Sequence, residues 1–286
     1  MTDDELTAEF EANRTHLRAV AYRMLGSVSE ADDAVQEAWL RASRADTSEV
    51  ENMRAWLTTV VARVSLSMLR SRKAKREEPL AVHVPEPLVA SPDSPDPEHE
   101  ALLADSVGLA LLVVLETLSP AERLAYVLHD MFAVPFDDIA AIVERSPAAA
   151  RQLASRGRRR IEAEAVEPDR DLSRQREAVE AFSAASREGN FEGLVAVLHP
   201  DVVLRANLAN GATQHVRGAE AVASQALMFR RLEEFARPAL VNGAVGTVVA
   251  SDERRYAVLG FTVADGRIVA IDILADPERL ERLDLG

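Results

Sequence analysis

The 286-residue sequence contains no cysteine, which excludes disulfide bonds, thiolate zinc sites and thiol-based redox switches. Aromatic residues make up only 5% of the chain, so its cores must consist mainly of Ala, Val and Leu. The longest apolar run, about 107–115, is far shorter than the ~20 residues that cross a bilayer. The N-terminus is acidic and unlike a signal peptide. The sequence therefore predicts a cytoplasmic protein without a membrane segment, and it indicates no metal or cofactor site.

The net charge of −14, taken alone, argues against nucleic-acid binding. The basic residues are nevertheless concentrated in two segments. Residues 54–76 contain seven of the 33 Lys and Arg residues and residues 145–160 contain six, and neither segment contains an acid. One such run is usually a solvated helix face, but two acid-free runs in an acidic chain favour binding to a polyanion.

Composition and periodicity divide the chain into four parts. Residues 1–76 and 101–166 show helical spacing of apolar residues. Between them, residues 77–100 form a linker that holds six of the 13 prolines, and its proline-rich run is expected to be extended and mobile. Residues 172–286 contain helices and then β-type segments. The predicted fold class is multidomain, with two all-α domains and a C-terminal α+β domain.

Local signals predict several element boundaries. Gly26 should end the first helix, and Ser29 should cap the second in a capping box with Asp32. In the C-terminal part, residues 218–231 are expected to form one long helix. The following strands should form a curved antiparallel sheet, with a tight hairpin turn at Asp265-Gly266.

Residues 136–161 have the pattern of a helix-turn-helix. A short amphipathic helix ends near Glu144, and Ser146-Pro147 begins a second helix with a cap and a first-turn proline. One face of the second helix is apolar. The opposite face presents small, Gln and Arg side chains suited to base edges and phosphates in a major groove: Ala148, Arg151, Gln152, Ser155, Arg156 and Arg159. The alternative is an ordinary helical hairpin with an arginine-rich exterior.

Two other helices carry charge of opposite sign. The helix of the first basic run contains Trp56, a combination suited to single-stranded nucleic acid, although Trp56 could equally be a core residue. The second helix presents an acidic face that would repel DNA and attract a basic protein surface: Asp32, Asp33, Gln36 and Glu37. Simple solvation of that face is the alternative.

These segments resemble a known family. Residues 21–27 and 30–38 resemble the core segment of sigma factor region 2, and residues 54–63 resemble its promoter-melting helix. Residues 118–128 and the helix-turn-helix resemble region 4. In order and spacing, about residues 8–165 resemble an extracytoplasmic-function (ECF) sigma factor. The C-terminal part resembles the SnoaL-like, NTF2-like domain of one ECF subgroup, which implies an α+β cone with a pocket.

The resemblance implies a role for each segment. The acidic face would bind the β′ clamp helices of core RNA polymerase, and region 4 would contact the β flap and promoter DNA. The −35 element would be read by Ser146 together with the exposed residues of the second helix given above. The −10 element would be bound by Arg54, Trp56, Arg63, Ser67, Arg70, Arg72 and Lys73. Ser67 stands where relatives often carry Asp.

In the same subgroup, three short segments help the extra domain to dock and to tune activity. Here they are 83–87, where the usual Trp and Leu are replaced, 205–211, which departs from the family motif, and 276–280, a conservative match. The implied regulatory residues are Pro85, Glu86, Pro87, Asn207, Gly211, Asp276, Pro277 and Leu280. The pocket of such a domain could hold a small ligand.

Two other classes of function remain open at this point. An NTF2-like enzyme fused to a DNA-binding segment would need polar groups in its pocket, and the candidates are His199, Asn207, His215 and Asp272. Each has an ordinary structural interpretation, and Asp272 could simply point outward from its strand. No acid–base pair at informative spacing is visible. A ligand-sensing regulator is the other alternative, but it would need neither the acidic helix nor the first basic run.

Overall fold

A computed structural model describes residues 3–75, 84–90, 108–164, 168–208, 212–252 and 254–283. The chain divides into two compact units. Met1–Pro79 and Val114–Glu164 form the first unit, and Leu80–Val113 and Ala165–Gly286 form the second. Across the described ranges, no helix has the length and apolar character needed to cross a membrane.

Three helices begin the first unit: α1 (Asp3–Leu25), α2 (Val28–Ala42) and α3 (Met53–Lys75). As predicted, Gly26 ends α1, in the left-handed conformation at φ 70°. The predicted cap at Ser29 is wrong, because Ser27 is the N-cap and its hydroxyl accepts a hydrogen bond from the Glu30 N–H. The chain is already extended at Ser27, directly after Gly26, so the helix begins at the first available hydroxyl.

The buried stripe of α2 consists of small residues, as its periodicity indicates. Its members are Ala31, Ala34, Val35, Ala38 and Ala42. Small side chains allow α2 to approach α1 and α3 closely, and all three helices contact one another.

A second group of helices follows, and it lies in the first unit from Val114 onward. They are α4 (Leu109–Thr117), α5 (Pro120–Tyr126), a π-helical turn (Val127–Met131), α6 (Phe136–Val143) and α7 (Pro147–Glu164). Ser119 and Glu122 form a reciprocal capping box at the start of α5. Gly157 lets α7 lie close to α5, because a Cβ added there would meet the Tyr126 Cβ at 3.2 Å.

The second unit contains helices and a mixed sheet. The helices are α8 (Leu172–Glu188), α9 (Phe191–Val197), α10 (Ala219–Met228), a 3-10 helix (Arg230–Phe235) and α11 (Pro277–Glu281). The strands are β1 (Val89–Ala90), β2 (Leu198–Asn207), β3 (Thr213–Arg217), β4 (Ala236–Val241), β5 (Ala244–Ala250), β6 (Arg255–Ala264) and β7 (Arg267–Leu274).

The strand order is β1-β4-β5-β6-β7-β2-β3. All neighbours are antiparallel except β2 and β7, which are parallel, so the expectation of a purely antiparallel sheet is wrong. Parallel neighbours need a long connection, and here β3, α10 and β4–β6 lie between them in sequence. The predicted hairpin at Asp265-Gly266 is confirmed, with positive φ at both residues.

Helices α8, α9 and α10 pack on one face of this sheet and form the core of the α+β domain with it. The predicted α+β class of this domain is confirmed. The predicted helix 218–231 is too long, because α10 ends at Met228 and the chain tightens into the 3-10 helix. This change of winding brings Phe229 and Leu232 to a cavity between the helices and the sheet.

Residues 84–90 belong to the second unit, although they fall inside the predicted linker. Residues 84–89 are buried, and β1 adds a strand at the edge of the sheet beside β4. The expectation of a mobile linker is therefore wrong for this segment, because β4 pairs with it and the Asn242 side chain after β4 accepts a hydrogen bond from the Leu88 N–H. The proline-rich run 91–97 lies outside the described residues.

Candidate nucleic-acid interface

The exposed face of α7 has the composition expected for DNA contact. Its residues Ala148, Arg151, Gln152, Ser155, Arg156 and Arg159, together with Ser146 at the start of the helix, are all exposed. The opposite face, Ala150, Leu153, Ala154, Gly157 and Ile161, is buried, as the sequence predicts. Five of the exposed residues line one shallow depression: Arg151, Gln152, Ser155, Arg156 and Arg159. We refer to this set as the α7 groove.

Aromatic residues outside α7 position one of its arginines. The Arg151 guanidinium lies over the Phe136 ring of α6, 5.5 Å from the ring centroid. Phe136 stacks in turn on His129, with ring centroids 3.8 Å apart. This stack holds Arg151 at the junction of the two helices. By sequence, Phe136 is one of the apolar residues of the short amphipathic helix, and only its proximity to Arg151 in space shows the positioning role.

The predicted −10 residues divide between two sides of α3. Helical spacing places Trp56, Arg63, Ser67 and Arg70 along one side, and the last three are exposed. Lys73 is exposed beside this row, and Trp56 is half-buried. Arg54 and Arg72 lie on the opposite side, five helical turns apart. The structure therefore brings together four of the seven predicted −10 residues in one row.

Arg72 and Arg123 form an ion-pair cluster with acids inside the first unit. Arg72 donates to Glu30 Oε2 at 3.2 Å and to Glu116 Oε1 at 3.4 Å. Arg123 donates to the same Glu116 oxygen at 2.7 Å and to the Arg23 carbonyl at 3.1 Å. Arg123 is only 2% exposed. This cluster joins α3 and the end of α1 to the second group of helices.

The acidic face of α2 is exposed as predicted. Asp32, Asp33 and Gln36 are exposed and Glu37 is half-buried. Asp32 makes a bidentate ion pair with Arg18, at 2.6 and 3.0 Å. Leu40, which is 42% exposed, follows Asp33 by seven residues on the same face. The sequence prediction omitted Leu40, and the i, i+3, i+4, i+7 spacing from Asp33 is the signal that could have found it.

Several predicted regulatory residues meet around the segment 84–90. The Val84 N–H donates to Asn207 Oδ1 at 2.6 Å, and the Leu88 N–H donates to Asn242 Oδ1 at 3.1 Å. Pro85, Glu86 and Pro87 are buried between these anchors. Gly211 lies outside the described residues. We call this set of interactions the linker-docking contact.

Arg279 is the centre of the linker-docking contact, although the sequence prediction named its neighbours. Its guanidinium donates to the Val84 carbonyl at 2.8 Å and lies 3.6 Å from Glu86. Asp276 caps α11, Pro277 occupies its first turn, and Leu280 is buried, so these three residues position Arg279. A basic residue inside the 276–280 motif was the available signal.

The four polar candidates for catalysis do not meet in the cavity. Asp272 is 1% exposed and makes a bidentate ion pair with Arg205, at 2.6 and 3.0 Å, so the expectation that it points outward is wrong. The ion pair forms because Arg205 and Asp272 are register partners on the parallel strands β2 and β7. His199 accepts a bond from the Asp201 N–H, and His215 is exposed. None of these residues lines the cavity, so the enzyme alternative is not favoured.

Two family models match the helical parts. Residues 10–75 match Sigma-70 region 2, and residues 108–161 match Sigma-70, region 4. The first match covers most of α1 and all of α2 and α3, and the second begins just before α4 and includes the helix-turn-helix. The protein defined by these parts is a sigma factor.

Similarity over the whole length gives the family. The chain is 40% identical to the ECF RNA polymerase sigma factor SigJ of Mycobacterium tuberculosis over 95% of this chain and 92% of that protein. It is 33% identical to a probable ECF RNA polymerase sigma factor, SigI, of the same species, over 99% and 98% of the two chains. The crystal structure of SigJ superposes with a TM-score of 0.78, at 37% identity, over 98% of this chain and all of the other. This chain belongs to the ECF RNA polymerase sigma factors.

Proposed function

We propose that this sigma factor directs core RNA polymerase to promoters through three separate surfaces and that its C-terminal domain modulates this activity in cis. The acidic face of α2 binds polymerase, the exposed row of α3 binds the melted −10 strand, and the α7 groove reads the −35 element. The observation that carries the proposal is the α7 groove, because its exposed residues form an acid-free face in a chain of net charge −14.

The proposed polymerase contact combines charge with a small apolar centre. Asp33, Gln36 and Leu40 lie on the same face of α2, and all three are exposed. An apolar side chain among acids suits an interface in which the acids orient a basic partner and the leucine is buried on binding. The clamp helices of the β′ subunit are the proposed partner of this face, and the β flap is the proposed partner of region 4.

Reversing the charge at the centre of this face should strongly weaken polymerase binding. We expect Asp33→Arg to weaken binding to core polymerase by about 30-fold or more, because a close charge pair at an interface is worth roughly 2–5 kcal/mol. Glu49→Arg is the control, since Glu49 is also exposed but lies in the loop after α2. Binding to purified core and promoter-specific run-off transcription would be measured. Equal weakening by both variants would contradict the assigned face, and a wild-type chain that neither binds core nor yields transcripts would refute the sigma function.

Modulation in cis rests on the linker-docking contact. Residues 84–90 connect region 2 to region 4 in sequence, and they are built into the sheet of the C-terminal domain. Asn207, Asn242 and Arg279 all bind backbone atoms of this segment, and Arg279 also pairs with the Glu86 side chain. Backbone recognition explains how docking tolerates the loss of the Trp and Leu found in relatives.

The double variant Asn207→Ala, Arg279→Ala should release the segment 84–90. It removes an acceptor and a donor that satisfy buried backbone groups of Val84, at roughly 1–3 kcal/mol each. We expect faster amide exchange at 84–90 and a changed yield of run-off transcripts. A chain truncated after Glu167 should show the same two changes. Arg217→Ala is the control, because its ion pair with Asp201 is exposed. Released docking with an unchanged transcript yield would leave the C-terminal domain without the proposed role.

The C-terminal domain contains a cavity between its sheet and its helices. We propose that a small ligand occupies it and alters the linker-docking contact.

A further inference from the structure

The cavity between the sheet and its helices is small and mostly apolar. It has a volume of about 150 Å³. Its walls are formed by aliphatic and aromatic side chains from α8, β2, β5, β6, β7, α10 and the 3-10 helix. An apolar cavity of this volume can stay dry and hold a molecule the size of benzene. The body of the ligand should therefore be one ring or a short chain.

The few polar groups that line the cavity identify the rest of the ligand. Gln214 and Gln225 hydrogen bond to each other, at 3.2 Å. Glu233 is the one charged residue among those that line the cavity. Burial raises the pKa of Glu233. Hydrogen bonds with the Ser186 and Ser183 hydroxyls and the charge of Arg187 act in the opposite direction, but burial has the larger effect. A more basic carboxyl group is a better hydrogen-bond acceptor, and without a lining cation the cavity disfavours anions.

The ends of β2 and β7 contribute both to the cavity and to the linker-docking contact. Ala206 and Ala275 line the cavity, and the Ala275 N–H donates to the carbonyl of Asn207 at 2.8 Å. Because side chains alternate along a strand, Asn207 points to the other face, where its amide oxygen binds Val84. A molecule in the cavity therefore contacts the backbone that carries the linker anchor.

We propose that this cavity binds a small neutral molecule with an apolar body of about one ring and one hydrogen-bond donor, such as a hydroxyl group, and that its occupancy stabilises the docked segment 84–90. The donor faces Glu233 or the paired glutamines, and the body fills the space beside Ala206 and Ala275. The second part rests on the proposed cis modulation, and the first part stands without it. Binding and docking are reciprocal, so a ligand that favours the docked state must bind that state more tightly.

Phenol is the probe for the binding site, used with the full-length chain in titration calorimetry. We expect saturable one-to-one binding, weaker binding of toluene, which lacks the donor, and at least tenfold weaker binding of benzoate, which is an anion. Ala226→Leu should weaken phenol binding at least tenfold, because Ala226 lines the cavity on α10. Ala221→Leu should bind phenol like the parent, because Ala221 is exposed on the same helix. Glu233→Gln should reduce the discrimination against benzoate.

The proposed site would be refuted if phenol did not bind, or if Ala226→Leu left phenol binding unchanged. For the second part, amide exchange at Val84 and Leu88 would be measured with phenol at about ten times its dissociation constant. We expect exchange to slow by up to about tenfold, the limit if the segment opens only when the cavity is empty. Unchanged exchange despite binding would overturn the coupling alone. Because neither measurement involves transcription, these results are independent of whether the chain works as proposed at a promoter.

Discussion

Replacing Arg151 or Gln152 with alanine is expected to reduce −35-dependent transcription by about 5- to 150-fold, because a bidentate contact to a base is worth roughly 1–3 kcal/mol of discrimination. Both side chains are exposed in the α7 groove, and Arg151 is held in place by its contact with Phe136. Little rotamer freedom then remains to be lost when Arg151 binds a base. Affinity for core polymerase should be unchanged, since α2 carries that contact.

The measurement needs promoters and a matched control. Promoter fragments would be enriched from random DNA with the assembled holoenzyme, and run-off yields compared for each variant. Arg158→Ala is the control, because it removes the same charge from α7 while the Arg158 side chain pairs with Asp130 instead of lining the groove. Arg159→Ala should behave as a phosphate contact, with similar losses on all promoters. Equal losses of polymerase affinity and −35 recognition in Arg151→Ala would contradict the assigned roles.

Arg123→Ala is expected to lower the free energy of unfolding of the first unit by roughly 3–5 kcal/mol, because breaking a buried ion pair leaves groups without their partner. Arg123 is 2% exposed and binds both Glu116 and the Arg23 carbonyl. Its removal also leaves a space where its buried stem packed.

The two tryptophans of the chain make this change measurable. Trp39 and Trp56 both lie in the first unit, so tryptophan fluorescence during urea unfolding follows that unit alone. The Arg158→Ala variant serves again as control, with an expected loss of at most about 1 kcal/mol, because the Arg158 side chain is exposed. A loss below about 1 kcal/mol for Arg123→Ala would show that the cluster does not stabilise the unit.

The same cluster bears on how the promoter is reached. In the first unit, α3 contacts α5 and α6, so the proposed −10 and −35 readers are neighbours. The two promoter elements are named for positions about 25 base pairs apart, which is roughly 85 Å of duplex. The 18 residues of α7 span only about 27 Å. For the proposed readers to bind both elements at once, the two groups of helices would have to separate, and the Arg123 contacts are among those that would break.

Features with local causes could be predicted from the sequence. The stripe of α2 follows from small apolar residues at helical spacing, and the helix-turn-helix follows from two caps around Glu144. Strands β4 and β5 follow from two runs rich in apolar residues, 236–241 and 244–250, that a tight turn separates.

Features with distant causes could not be predicted. Strand β1 forms because β4 offers a free edge, and nothing within 84–90 indicates a strand. Strand β3 is short and polar, and its sequence does not indicate a strand. It forms because it pairs with β2. Asp272 is buried because the parallel register places Arg205 beside it. Likewise, the helical spacing of α3 divides the arginines between two sides, but only the fold shows that Arg72 is already engaged by acids.

That engagement of Arg72 has a consequence for measurements at different salt concentrations. A cation that binds a phosphate normally releases a condensed counterion, which adds about 0.7 to the logarithmic salt slope for a single strand. Arg72 already faces Glu30 and Glu116, so on binding DNA it would exchange one anion for another. The carboxylates it leaves would then attract cations from solution. The number of phosphate contacts calculated from the salt slope should therefore be smaller than the number of arginines on α3. The difference would measure how many of these arginines are paired with carboxylates in the free protein.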